Sequence, residues 1–209
     1  RRRRNRRKPC LRQRRKSSGS GRTSYLGAGL TAALDTKNHW LDASLHAGRT
    51  RSDYTGITHY DSASTYYALH IGMGRDFRLN GSTALNAYLR YFYTHTTGTH
   101  AVMDSGEHYD FAAVDSHRLR IGARYTYTAS LMSQIYAGLA WEHEFDGSAR
   151  ATYDGDGTPA PSLRGGSALL ELGCSIAPQN SPVRYDLHLT GWQGKREGFT
   201  GGISARWTY

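Results

Sequence analysis

Phe199, Gly201, Ile203, Ala205, Trp207 and Tyr209 alternate with Thr200, Gly202, Ser204, Arg206 and Thr208 over the last eleven residues. Side chains on a strand point alternately to its two faces, so this segment presents one apolar or small face and one mostly polar face. A strand of about 10 residues is long enough to cross a bilayer at a tilt.

The same alternation recurs upstream. Leu26, Ala28, Leu30, Ala32 and Leu34 interleave with Gly27, Gly29, Thr31 and Ala33, and Leu41, Ala43, Leu45 and Ala47 with Asp42, Ser44, His46 and Gly48. Leu119, Ile121, Ala123, Tyr125 and Tyr127 interleave with Arg118, Arg120, Gly122, Arg124 and Thr126. Further on, Leu170, Leu172, Cys174 and Ile176 oppose Leu169, Glu171, Gly173 and Ser175, and Tyr185, Leu187 and Leu189 oppose Arg184, Asp186 and His188. Helical periodicity is not evident. The pattern predicts nine strands, at 23–34, 39–51, 64–79, 82–96, 114–128, 133–145, 164–177, 182–193 and 198–209.

The connections are expected to alternate in length. Short turns are predicted at 35–38, at Asn80-Gly81, at 129–132, at 178–181 and at 194–197, the last closing the final hairpin. Longer loops are predicted near 52–63, 97–113 and 146–163. Short turns on one rim and long loops on the other characterise transmembrane β-barrels, with the short turns on the periplasmic side. Period two alone does not say which face is inside, because a soluble barrel would alternate in the same way. Long strands favour the inverted arrangement, with apolar side chains outward. So do two groups of aromatics: Phe77, Tyr125, Tyr127, Trp207 and Tyr209 toward the short turns, and Tyr91, Tyr93, Trp141, Phe145 and Phe199 toward the long loops. The fold class read from the chain is therefore all-β, an antiparallel outer-membrane-type barrel.

The formal charge of +10 and the pI of about 9.8 change the picture little once they are located. Residues 1–22 hold ten Arg and two Lys with no acid, leaving 15 basic against 17 acidic residues, a net of −2, for residues 23–209. Two domains are expected: a disordered arginine-rich leader at 1–22 and the barrel at 23–209. No aromatics interleave with the basic leader, so no specific nucleic-acid partner is expected. Cys10 and Cys174 lie in different compositional regimes, and no disulfide is expected between them.

Candidate chemistry is sparse. Arg118, Arg120, Arg124, Glu142, Glu144, Glu171, Arg184, Asp186 and Arg206 fall on the polar face and are expected to line a wet lumen, pairing across it. His95, His100 and His108 lie in or beside one long loop, while His70 and Asp76 share the polar face of a strand; none has a metal-ligand spacing. Asp154-Gly155-Asp156-Gly157 lacks the later ligands of a calcium loop. Gly27, Gly29, Gly72 and Gly74 are expected to make room for inward aromatics on neighbouring strands. No cofactor and no metal is expected.

Several phrases carry a family resemblance. These are His117–Arg124, Trp141-Glu142-His143-Glu144-Phe145-Asp146-Gly147, Leu163-Arg164-Gly165-Gly166-Ser167 with Glu171-Leu172-Gly173, and Gly194-Lys195-Arg196-Glu197-Gly198. Residues 23–209 thereby resemble the β-domain of autotransporters, the translocator barrel of type V secretion. The resemblance implies an outer-membrane barrel without catalytic residues that transfers and anchors a passenger domain. It also implies contact with outer-membrane lipid. Ile203, Trp207 and Tyr209 are similar to the terminal signal that the barrel-assembly machinery recognises. Two departures stand out: nine strands are read where the family usually has twelve, and no pore-threading helix is found. The expectation is a barrel lacking its first strands. The alternatives are an outer-membrane enzyme of protease type, for which Asp104, His100, His108 and Asp110 could supply groups, and an adhesin- or porin-like surface barrel.

Overall fold

The computed structural model describes residues 20–56, 59–104, 106–179 and 181–207. The leader at 1–19 and Tyr209 of the terminal signal lie outside the described residues.

Nine long strands form one antiparallel sheet: β1 (Ser20–Asp35), β2 (His39–Thr55), β3 (His59–Arg78), β4 (Thr83–Thr96), β7 (Val114–Ser130), β8 (Ser133–Glu144), β11 (Gly165–Ile176), β12 (Val183–Gly194) and β13 (Gly198–Trp207). They pair in chain order, each next to its predecessor in the barrel wall, with β1 and β13 at the two edges. The short turns form where expected; Asn80 Oδ1, for example, accepts from the Ser82 backbone N–H across the tight β3–β4 turn. Strand β1 begins at Ser20, three residues before the expected start.

Two expectations about loops are corrected. The segment 52–63 is not a long loop: β2 and β3 continue their register through Asp53↔Asp61, Tyr54↔Tyr60 and Thr55↔His59. Tyr54 and Tyr60 sit opposite one another with ring centroids 5.4 Å apart, and such cross-strand aromatic pairs extend a ladder that polar composition alone would end. The loops at 97–113 and 146–163 are not irregular either. They contribute β5 (Thr99–Val102), β6 (His108–Phe111), β9 (Ala151–Tyr153) and β10 (Asp156–Gly157), which form a second, four-stranded sheet at the long-loop rim. Tyr109, Phe111 and Tyr153 share one face of this rim sheet, and Phe111 reaches Tyr60, tying the sheet to the β2–β3 hairpin.

The main sheet is curled, and its outer face is apolar. Leu119, Ile121, Leu170, Leu172, Leu187 and Leu189 are all exposed, whereas Glu142, Glu144 and Glu171 are only 2–4% exposed. Strand β11 shows the inversion residue by residue: Ser167, Leu169, Glu171 and Ser175 are buried, and Ala168, Leu170, Leu172 and Ile176 are exposed. Burial toward water would have the opposite sign on this strand. Leu169 is an apolar exception on the inner side, packed at 2% exposure among the charges.

Glycines let the inner side chains lie flat against the wall. At Gly74 an added Cβ would meet the Trp40 ring, and at Gly27 it would meet the Tyr66 hydroxyl, as expected from the sequence.

Candidate functional site: the charged inner face

The inner face is built by strand parity. Strand β7 contributes Arg118, Arg120 and Arg124, β8 contributes Glu142 and Glu144, and β11 contributes Glu171. The register sets Arg118 opposite Glu144 and Arg120 opposite Glu142. Arg120 donates from Nε and Nη2 to Glu142 Oε2 at 3.0 and 2.8 Å, and its Nη1 lies 3.6 Å from Glu171. Arg118 sits 3.8 Å from both Glu142 and Glu144. Arg124 donates to Glu171 Oε2 at 2.9 Å across the intervening strand β8. Curvature brings still more distant strands together. Tyr88 on β4 donates to Glu171 Oε1 at 3.0 Å although two strands separate β4 from β11. In a flat sheet those strands would stand about 14 Å apart.

The pairing therefore runs along the curved wall, between neighbouring strands for Arg118–Glu144 and Arg120–Glu142 and over one intervening strand for Arg120 and Arg124 with Glu171, whereas the sequence reading expected pairing across the lumen. Cross-strand partners are held by the ladder itself, so they meet without the entropy loss of fixing two distant side chains. Glu144 additionally accepts from Ser116 Oγ at 2.6 Å and from the His117 N–H at 2.9 Å, pinning the strand end at the long-loop rim.

The remaining expected members are looser. Arg184 donates to Ser175 Oγ and to Gln134 Oε1, and lies 3.9 Å from Asp186. Arg206 lies exposed on the polar side of edge strand β13 and joins no ion pair among the described residues. Ile203 and Trp207 lie on the outer side of the same strand, 79% and 61% exposed.

Sequence reasoning missed Tyr88, Arg90, Phe92, Tyr136 and Arg196. Arg90 lies over the Tyr88 and Trp40 rings, Arg118 and Arg120 over Phe92, and Arg124 over Tyr136 at 4.3 Å. Arg196, from the last hairpin, reaches Glu142 at 3.8 Å. Parity along β4 could have found Tyr88, Arg90 and Phe92, since all three fall on the face opposite Leu89 and Tyr91.

At the rim, His100 Nδ1 meets Asp110, and His108 Nδ1 lies 3.4 Å from His100 Nε2. Asp104 is elsewhere, its N–H bonded to the His59 carbonyl. Among the described residues no hydroxyl or thiol is hydrogen-bonded to either ring. His70 pairs with Asp42 at 3.0 Å, and Asp76 accepts from Asn86 at 2.7 Å. In the rim sheet, Tyr153 donates to Glu107 at 2.6 Å, and this hydrogen bond to a carboxylate, with burial adding to it, pushes the phenol up to about 12.

A long-stranded antiparallel wall with lipid-compatible side chains outside, a charge network inside and structured loops on one rim defines an outer-membrane β-barrel protein. The family model described as the Autotransporter beta-domain matches residues 12–182, and the chain belongs to this family of outer-membrane translocator barrels. Among solved structures it is similar to the β domain of the Bordetella autotransporter BrkA, with a TM-score of 0.70 and 19% identity. That match covers 91% of this chain and 74% of the other, and at this identity it speaks to the fold. No curated protein sequence matches the chain.

Proposed function

We propose that the inner face forms the wall along which an unfolded passenger polypeptide crosses the outer membrane, and that the barrel then anchors it at the surface. The observation that carries this reading is the inversion of polarity: charges are buried on the inner side while the large apolar side chains face outward. The Nε atoms of Arg90, Arg118, Arg124 and Arg196 are buried without a protein hydrogen-bond acceptor. Arg90, Arg118 and Arg124 instead lie over aromatic rings, 4.3 to 5.5 Å from the centroids. A hydrated, charge-paired wall offers a passing chain hydrogen bonds without a sticky apolar surface. The reading assigns no catalytic step, cofactor or nucleic-acid partner to this chain.

Edge strand β13 supports a second element of the proposal, docking on the barrel-assembly machinery. Its backbone edge is available for strand addition, and Ile203 and Trp207 would supply the side-chain signal together with Tyr209. Reversing Arg118 and Arg120 to Glu should change single-channel conductance and ion preference of the protein in planar bilayers. Unchanged conductance would remove the lumen role. Tyr209→Ala should slow assembly of the protein into the membrane, and normal assembly would remove the signal role.

A further inference from the structure

The outer face of β1–β3 changes character along the strands, and the register shows where. Rungs from Leu34–Leu41–Met73 to Ala28–Ala47–Tyr67 are apolar or aromatic. Beyond them, toward the long-loop rim, come Leu26–Arg49–Thr65 and Ser24–Arg51–Ala63, and Arg22 follows in the next rung. Depth along β2 puts these arginines at the border of the bilayer. At about 3.3 Å per residue and about 40° of tilt, Arg49 stands roughly 20 Å and Arg51 roughly 25 Å from Leu41, against an apolar band about 25 Å tall. Arg22, Arg49 and Arg51 are all exposed. The arginine ion pairs of the described residues all belong to Arg118, Arg120, Arg124, Arg184 and Arg196; Arg22 faces Asp53 across the β1–β2 ladder, while Arg49 stands between Leu26 and Thr65 and Arg51 between Ser24 and Ala63, with no acid in either rung.

Arg22 and Arg51 also line an open pocket whose far wall is formed by Thr99 and His100 of the rim sheet. Elsewhere on this rim the outward strand positions include Tyr91, Tyr93, Trp141, His143 and Asp115, and none among the described residues is arginine. Asp53 and Asp61 share Arg22's rung, one beyond that of Arg51, and bound the pocket on the side away from the bilayer. A guanidinium at the headgroup level binds phosphate oxygens in a bidentate manner and buries its methylenes along the apolar band below.

We propose that Arg49 and Arg51 form a binding site for the phosphate groups of an anionic outer-leaflet lipid, continuous with the lipid-facing wall. The site rests on the barrel being inserted with its long-loop rim outward. Each arginine engaged at a membrane surface is worth roughly a fivefold gain in affinity.

The test uses the full chain refolded into vesicles of equimolar phosphatidylcholine and bisphosphorylated lipid A, or the same glycolipid stripped of its phosphates. Protease protection reports insertion, and mass spectrometry of the protein extracted in mild detergent reports retained glycolipid. The phosphorylated form should be retained preferentially, and Arg49→Gln with Arg51→Gln should lower its retention about 25-fold. Arg49→Lys with Arg51→Lys should keep most of it. Arg75→Gln, an exposed outward arginine near the opposite rim over Phe77, should leave retention unchanged. Equal retention of the two glycolipids by a protected, inserted chain would overturn the site and leave the barrel reading intact. So would the same loss in Arg75→Gln as in the double variant. Failure to insert into either vesicle would overturn the membrane reading and this site with it.

Discussion

Leu139 offers a direct measure of which solvent the outer face meets. It is 70% exposed and sits mid-way along β8, flanked in register by Ala123 and Leu170. On a water-facing surface, Leu139→Arg would change stability by no more than about 0.5 kcal/mol. At a bilayer midplane the same change costs roughly 2–4 kcal/mol. Ile135, on the same face four residues closer to the short-turn rim, lies about 10 Å shallower at the tilt expected of such strands. Ile135→Arg should therefore cost only about 0–1 kcal/mol. The assay is denaturant unfolding of the protein inserted in vesicles, followed by tryptophan fluorescence under conditions where folding reverses. A depth-dependent penalty is expected. Equal, sub-kilocalorie effects at the two positions would refute the lipid-facing assignment, however exposed the side chains are.

Three further outcomes follow from the network and the rim. Glu171→Gln, which leaves Arg124 without a carboxylate and Arg120 with Glu142 alone, should destabilise the barrel by about 3 kcal/mol, whereas Tyr88→Phe should cost about 1.5 kcal/mol. Equilibrium unfolding measures both, and an undetectable loss for Glu171→Gln would mean that solvent already screens the pair. Cys174 is free and lies on the outer face between Leu172 and Ile176. In a Cys10→Ser background, mass spectrometry should find it modified by an apolar maleimide and spared by a charged one in vesicles, and rapid reaction with both would count against burial in lipid. Tyr153 has a folded-state pKa raised to about 12, so its hydrogen bond to Glu107 contributes fully below about pH 10 and is lost as pH climbs through 12. Absorbance titration of Tyr153→Phe should lose one phenol's share of the change near pH 12, and an unchanged titration curve would contradict this assignment.

The alternation of residues and the turn chemistry were enough to place nine strands, their order and the membership of each face, because a strand's side chains obey a period of two whatever surrounds them. Asn80-Gly81 and the last hairpin at 194–197 could be read locally for the same reason. Period two is unchanged when a sheet is turned inside out, so the alternation could not itself choose the face that meets lipid. Strand length and the two groups of aromatics pointed to the apolar face outward, and the tertiary structure decided it by showing Leu170 outside and Glu171 inside on one strand. Curvature also decided the partners. Tyr88 and Glu171 are 83 residues apart and meet because the sheet rolls up, a long-range property that no local spacing encodes. The rim was hidden for a related reason: β5, β6, β9 and β10 are short segments whose stability comes from pairing with one another and packing on Tyr60, not from their own composition.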